Sequence, residues 1–432
     1  MVKKYITIAI VGIFAASAIA TAAFWYSTKQ LRGSEAFWQN EVKITDAYAK
    51  FLSEIIDTVQ QNYWKKITEA QLAEIYVSGI NRLTGQNIVG LPTDKKERLE
   101  LLENILDKID AGQKKDFCAS LADYLMANLA PAGRSRLYGQ KDTKALENRV
   151  NNRDENVDLY NVMGVEKQAS LARLYEIYQE KLKQVDESSP DAKQKKELLD
   201  RAYATLSNDN ARANYDKTGS ETTVSAKLTT PEILYLRIKM FSPNTYEELK
   251  TTIASFDRDK SPDTLIIDLR DNVGGNIDGL PQILGAFIGN GQHGYQFLHQ
   301  EEKPDFLTTT GELSGLARYK KIVILVNGGT QSTAEVLAAS LKKYNAGILV
   351  GENTKGWGTV ERVFPIQSQI ARDENYSLFL VHSLTLREDN QPIEGQGVAP
   401  AVNINDRDWE GQLYGYFRYP ELAQAIKEIW NQ

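Results

Sequence analysis

The stretch Gly328-Gly-Thr-Gln-Ser-Thr-Ala-Glu335 (GGTQSTAE) decides how this chain is read. It follows an apolar run, Ile322 to Val326, and opens the helical run AEVLAASLKK. An apolar β-branched run, a Gly-rich turn and an amphipathic segment read as strand, tight turn and helix. A serine at such a turn sits where the chain bends sharply, so its hydroxyl can project into a cleft. The first helical turn beneath it offers backbone N–H groups that have no intrahelical partner. That arrangement suits a nucleophile for acyl transfer, with Ser332 as the candidate. On local sequence alone a simpler reading stands beside it, in which Thr330, Ser332 and Thr333 only cap the helix.

The neighbouring stretches change the balance. Upstream lies TLIIDLRDNVGGN (Thr264 to Asn276), an apolar strand running into a charged turn and two glycines. Downstream lie ILVGENTKGWGTVERVFP (Ile348 to Pro365) and NQPIEGQGVAP (Asn390 to Pro400). In this order and spacing the four stretches, spanning Ile233 to Ile404, resemble the tail-specific (C-terminal processing) serine proteases. DLRDNVGG resembles the family's DLR-x-N-x-GG loop, with Val273 where proline is usual. GGTQSTAE resembles its nucleophile turn and places Ser332 on the catalytic serine, and IEGQGVAP resembles its closing I-x-G-x-G-x-x-P segment. The resemblance implies a crotonase-like α/β core of the ββα type that acts on polypeptides and needs no cofactor. It also implies an oxyanion site built from the Gly274-Gly275 turn and the N–H of Thr333. Glycines there let a substrate approach the backbone without a Cβ in the way. Asp268, Arg270 and Asp271 are expected to buttress this loop by ion pairing.

One departure concerns the base. The family's lysine sits in a G-E-x-T-x-G-K-G stretch, and an ungapped match to Gly351–Gly358 puts Trp357 there. Lys355 lies two residues earlier, and the glutamine that follows the family's lysine by four is Glu361. In an extended segment, side chains two apart share a face and lie roughly 6–7 Å apart. Lys355 could then reach the usual place from a displaced Cα, with Glu361 in a supporting contact, although the glycines flanking Trp357 weaken that geometry. A lysine base must also be buried enough to be neutral. His382, in the strand NYSLFLVHSL, is the alternative base. His293 and His299 lie in a stretch with no match to a catalytic segment.

The rest of the chain surrounds this core, which is assigned to residues 230–432. With 432 residues, 42% hydrophobic and 25% charged, the chain has room for two or three globular domains. A net charge of −6 argues against nucleic acid as a partner. The single cysteine, Cys118, excludes an intrachain disulfide framework, and no Cys/His cluster suggests a metal site. Residues 1–32 read as a targeting element: Lys3 and Lys4 precede an uncharged run from Tyr5 to about Tyr26. Such a run is long enough to span a bilayer as a single-pass signal anchor, leaving the bulk extracytoplasmic. The small residues Ala20-Thr21-Ala22 also fit a cleaved signal peptide and a secreted protein.

Residues 34–150 read as an all-α helical region, with Gly85 as a C-cap and Thr93 as an N-cap. Residues 157–219 resemble a J-domain at Asp158-Leu159-Tyr160, Met163-Gly164-Val165, Ala202-Tyr203 and Arg212 to Asp216. That family recruits a chaperone ATPase through a His-Pro-Asp loop, and here the loop reads DESSPDAK. A structural or docking module is therefore expected, and no stimulation of a chaperone ATPase. It stands where tail-specific proteases usually carry a PDZ domain, and no PDZ-like run of short strands is found. Two functions remain open: a serine endopeptidase, and a pseudoprotease that binds peptides without turning them over.

Overall fold

The computed structural model describes residues 47–88, 94–256, 262–309, 316 and 318–431, so the targeting element assigned to residues 1–32 lies outside them. Among the described residues no helix is long and apolar enough to cross a membrane.

Four helices come first: α1 (Ala47–Asn62), α2 (Glu69–Thr84), α3 (Lys95–Leu106) and α4 (Lys114–Ala127). Thr68 and Gln71 form a capping box at the start of α2, which ends on left-handed Gly85 as its sequence suggests. The N-cap of α3 is Asp94, not Thr93; its carboxylate accepts the N–H groups of Lys96 and Glu97. Phe51, Leu52, Ile55, Leu72, Ile80, Leu121 and Leu125 of these helices share one core with Leu378, Leu380 and Val381. Cys118 is buried in it. The region expected to be all helical also holds a strand, β1 (Arg136–Tyr138), which pairs with a strand much later in the chain. Its hydrogen-bonding partner lies more than 230 residues away in sequence, so no local periodicity could have marked it.

After α5 (Gln140–Val150), a helical module follows: α6 (Leu159–Met163), α7 (Leu171–Lys183), α8 (Ala192–Leu206) and α9 (Asp209–Thr218). It has its own core, made of Leu159, Tyr160, Met163, Leu174, Leu199, Ala202 and Leu206. Tyr160 and Arg212 knit its ends together, with Arg212 donating to the Tyr160 hydroxyl at 3.1 Å.

The C-terminal half then runs β2 (Val224–Thr230), β3 (Ile233–Ile238), α10 (Thr245–Ser255), β4 (Thr264–Asp268), α11 (Leu280–Ile288), β5 (His293–Leu298), β6 (Asp305–Leu307) and β7 (Lys321–Val326). It continues through α12 (Thr333–Lys343), β8 (Ile348–Gly351), β9 (Thr359–Pro365), β10 (Ser377–Thr385), β11 (Val402–Asn403), α13 (Trp409–Phe417) and α14 (Pro420–Trp430). The main sheet has the order β11-β8-β7-β4-β3-β2, parallel except where β2 meets β3. Every residue of β4 is buried, because helices cover both faces: α10, α11 and α12 on one, α13 and α14 on the other. A second sheet, β1-β10-β5-β6 with β9 on β10, carries the α1–α4 core. The carboxyl ends of β4 and β7 lie side by side, in register from Thr264↔Lys321 to Asp268↔Leu325. Loops leaving such ends are where an open α/β sheet places its ligands.

Candidate active site

Two loops leave those strand ends and lock together. The Thr330 hydroxyl, fully buried, donates to the Leu269 carbonyl at 2.8 Å, and the Gln331 N–H donates to the Asn272 carbonyl at 2.8 Å. Asp268 and Arg270 form the expected ion pair at 2.7 Å. The Arg270 guanidinium also reaches the Ile429 and Trp430 carbonyls, so it ties the loop to the last helix. Asp271 differs from expectation: it exchanges hydrogen bonds with the Asn327 side chain rather than joining an ion pair.

Ser332 stands at the N-cap of α12 with φ 53° and ψ −124°, a conformation that L-residues rarely adopt. A strained residue of this kind persists only where its surroundings over-determine it, and Glu335 does so here. Its side chain is fully buried and accepts four hydrogen bonds. Oε2 takes the N–H of Ser332 at 2.9 Å and that of Trp357 at 2.9 Å. Oε1 takes the Thr354 hydroxyl at 2.5 Å and the Gly356 N–H at 2.7 Å. Burial pushes the Glu335 pKa up, and these four donors pull the other way. One carboxylate therefore fixes both the serine turn and the 354–357 loop. Glu335 lies within the quoted serine stretch, but its role needs a loop some twenty residues on.

The N–H groups expected to form an oxyanion site differ in their availability. Gly274 has its N–H committed to Asn272 Oδ1 at 2.8 Å. The N–H groups of Gly275 and Thr333 donate to no described residue and remain open to a substrate oxygen. Both glycines are required sterically. A Cβ on Gly274, at φ +83°, would meet the Ser332 Cβ at 2.6 Å, and one on Gly275 would meet the Phe241 carbonyl oxygen at 2.0 Å.

The base is where sequence and structure part. Lys355 is exposed, and its N–H is tied to the Thr330 carbonyl at 2.9 Å. Gly356, at φ +78°, turns the chain between Lys355 and Trp357, so the extended geometry that would align their side chains is absent. Trp357 is half-buried, and its indole N–H points to Glu361 Oε1 at 3.4 Å. The Thr359 hydroxyl donates to the same oxygen at 2.5 Å, and burial raises the Glu361 pKa. Over the indole lies the guanidinium of Arg134, 3.3 Å from the ring centroid, paired with Glu394 at 3.1 Å. Arg134 comes from the loop before β1, and no sequence motif pointed to it.

His382 is not brought to the serine. It sits at a bulge in β10, stacks on His299 at 4.2 Å between centroids and holds the Ser383 hydroxyl at 2.7 Å. Burial first, then Arg362 and His299, lowers its pKa to about 4. His293 lies apart as well, 3.2 Å from Asp305 on the β5–β6 hairpin. Among the described residues the Ser332 hydroxyl makes no hydrogen bond to Lys355, Glu361 or His382.

A strained serine thus stands at a strand-to-helix turn, with two open N–H donors beside it and an α/β sheet beneath. Residues 232–404 match the model of peptidase family S41. The carboxy-terminal-processing protease of Bartonella bacilliformis is 27% identical over 176 residues, which cover 40% of this chain and 39% of that protein. The carboxy-terminal processing protease CtpA of Bacillus subtilis is 29% identical over 187 residues, 43% of this chain and 38% of that protein. The chain thus spans well under half the length of these relatives. The solved structure of a photosystem II D1 C-terminal processing protease superposes with a TM-score of 0.48 at 15% identity, over 86% of this chain and 97% of that one.

Proposed function

We propose that the chain is a serine endopeptidase of the C-terminal processing type that cleaves polypeptides through Ser332. The observation that carries this reading is the preset turn: Ser332 held strained by Glu335, with the Gly275 and Thr333 N–H groups open beside it. The hydroxyl attacks the scissile carbonyl, and the tetrahedral oxygen takes its charge between those two donors. Lys355 is the base by chain position. To serve, its amine must leave solvent, turn in toward Ser332 and lose its proton there. Glu361 then holds the indole that walls the cleft.

A second reading is favoured by one specific contact. The indole of Trp357 stands where the family's lysine would be, under the Arg134 guanidinium. Arginine stays protonated in proteins and supplies no base. On this reading the site is a peptide-binding scaffold without turnover. Labelling of Ser332 by a fluorophosphonate, together with cleavage of casein, separates the two. Both signals, lost in Ser332→Ala, support the peptidase; peptide binding with neither signal supports the scaffold.

We also propose that residues 5–26 anchor the chain in the cell membrane, with the bulk extracytoplasmic, or are removed to leave a secreted protein. Retention of the chain in membranes through a high-salt wash supports the anchor, and a mature N-terminus near Ala23 supports secretion. The 157–219 segment is read as a J-like docking module that does not stimulate a chaperone ATPase. Acceleration of such an ATPase by the full chain overturns that reading.

A further inference from the structure

We infer that the cleft between the helical module and the C-terminal half binds a short stretch of polypeptide through its backbone amides and favours a basic side chain. The cleft, about 210 Å³, lies between α9 on one wall and α10 on the other. Asn210 stands on the first wall and Asn244 on the second, and neither side chain bonds to any described residue. A side-chain amide carries the same donor and acceptor as a peptide bond, so an amide on each wall can pair with an extended backbone laid between them. Ala204, Ala211 and Val224 give the floor apolar surface, and Glu247 is an exposed carboxylate at the rim. Among the described residues no lysine or arginine lines the cleft; Glu247 holds Lys250 only in a loose, exposed pair at 3.9 Å, which a lysine or arginine of the bound segment can displace.

Its position ties it to the serine. Asn244 lies three residues beyond Phe241, whose N–H donates to the Gly274 carbonyl at 2.8 Å and whose carbonyl takes the Asn276 N–H at 2.8 Å. Ser242 and Thr245 brace the intervening turn, the Ser242 N–H donating to Thr245 Oγ1 at 2.8 Å. One short segment thus forms a wall of the cleft and the back of the oxyanion loop. A polypeptide held in the cleft lies against the segment that backs the Gly274-Gly275 loop, and the cleft acts as a second binding site for a long substrate.

This inference rests on the peptidase reading, and its test keeps the two apart. Full-length Ser332→Ala, which cannot turn over substrate, is titrated with a fluorescent Gly-Ser-Lys peptide and followed by anisotropy. Asn244→Trp fills the cleft from the α10 wall and is expected to weaken binding about tenfold. Asn210→Leu, at an exposed position on the opposite wall, is expected to weaken it in the same direction with thermal unfolding unchanged. In the active protein, Asn210→Leu, on the wall away from the Gly274-Gly275 loop, is expected to raise KM for casein. Equal affinity in all three proteins, or no binding to Ser332→Ala, overturns the inference. Equal binding of a Gly-Ser peptide without lysine overturns its basic preference. Binding by a chain that cleaves nothing refutes the peptidase and leaves the cleft standing.

Discussion

Glu335 and Trp357 are joined by a 2.9 Å hydrogen bond from the Trp357 N–H to the carboxylate oxygen that also takes the Ser332 N–H. The Ser332 turn and the 354–357 loop are therefore set by one buried side chain. Replacing it alters both at once. Glu335→Ala removes an acceptor from four donors, two of them on buried residues, and each buried polar group left unpaired costs about 1–3 kcal/mol. Glu335→Gln keeps the shape but puts an NH₂ opposite backbone N–H groups. Both variants are expected to lower the melting temperature, and Glu335→Gln to lose Ser332 labelling while staying folded. Full labelling of Glu335→Gln removes the positioning role.

Gly274→Ala tests the steric fit behind the serine. The added Cβ falls 2.6 Å from the Ser332 Cβ on a backbone at φ +83°, so strain and clash act together. The variant is expected to lose Ser332 labelling by at least about tenfold, with retained far-UV circular dichroism as the check that the chain still folds around this buried position. Val273→Ala, on an exposed neighbour, is the control expected to label normally.

Trp357→Lys restores the family's residue at the position now filled by indole. If the protein is a scaffold only for want of a base, this change is expected to create cleavage of casein where wild type shows none. In an active wild type, Lys355→Ala is expected to cost about 10²–10⁴ in rate, the usual loss of a general base, and so approach Ser332→Ala. Unaltered turnover in Lys355→Ala moves the base elsewhere. Since His382 stacks on His299 away from the serine, His382→Asn is expected to retain activity, and its loss of cleavage would restore the histidine as a candidate.

His382 instead shapes acid stability. Its pKa is lowered to about 4 in the fold, against about 6.5 in an unfolded chain. The unfolded state binds the extra proton between those values, so stability falls as pH drops from about 6.5 to about 4. Urea unfolding at pH 7 and pH 4.5 is expected to lose part of its pH dependence in His382→Asn. Glu361 contributes with the opposite sign. Its raised pKa means that the folded state holds the proton longer, so stability falls as pH rises past the ordinary carboxylate range. Glu361→Gln keeps an oxygen for Thr359 and Trp357 and is expected to unfold at higher temperature near pH 8.

The sequence by itself determined the parts whose physics is local. Ile322–Val326, the Gly-rich turn and the α12 pattern place a strand, a bend and a helix within one residue of where they stand, and the two glycines of DLRDNVGG announce a close approach. Ser332 was legible because its turn, helix start and flanking strand are contiguous in the chain. Tertiary structure alone decided the rest. Whether Lys355 reaches the cleft depends on the left-handed turn at Gly356 and on the burial of the loop, and neither is encoded in spacing. Arg134 meets Trp357 across more than two hundred residues, and β1 finds β10 across a similar distance. Such contacts come from side-chain packing between separate elements, which leaves no periodic trace in either segment.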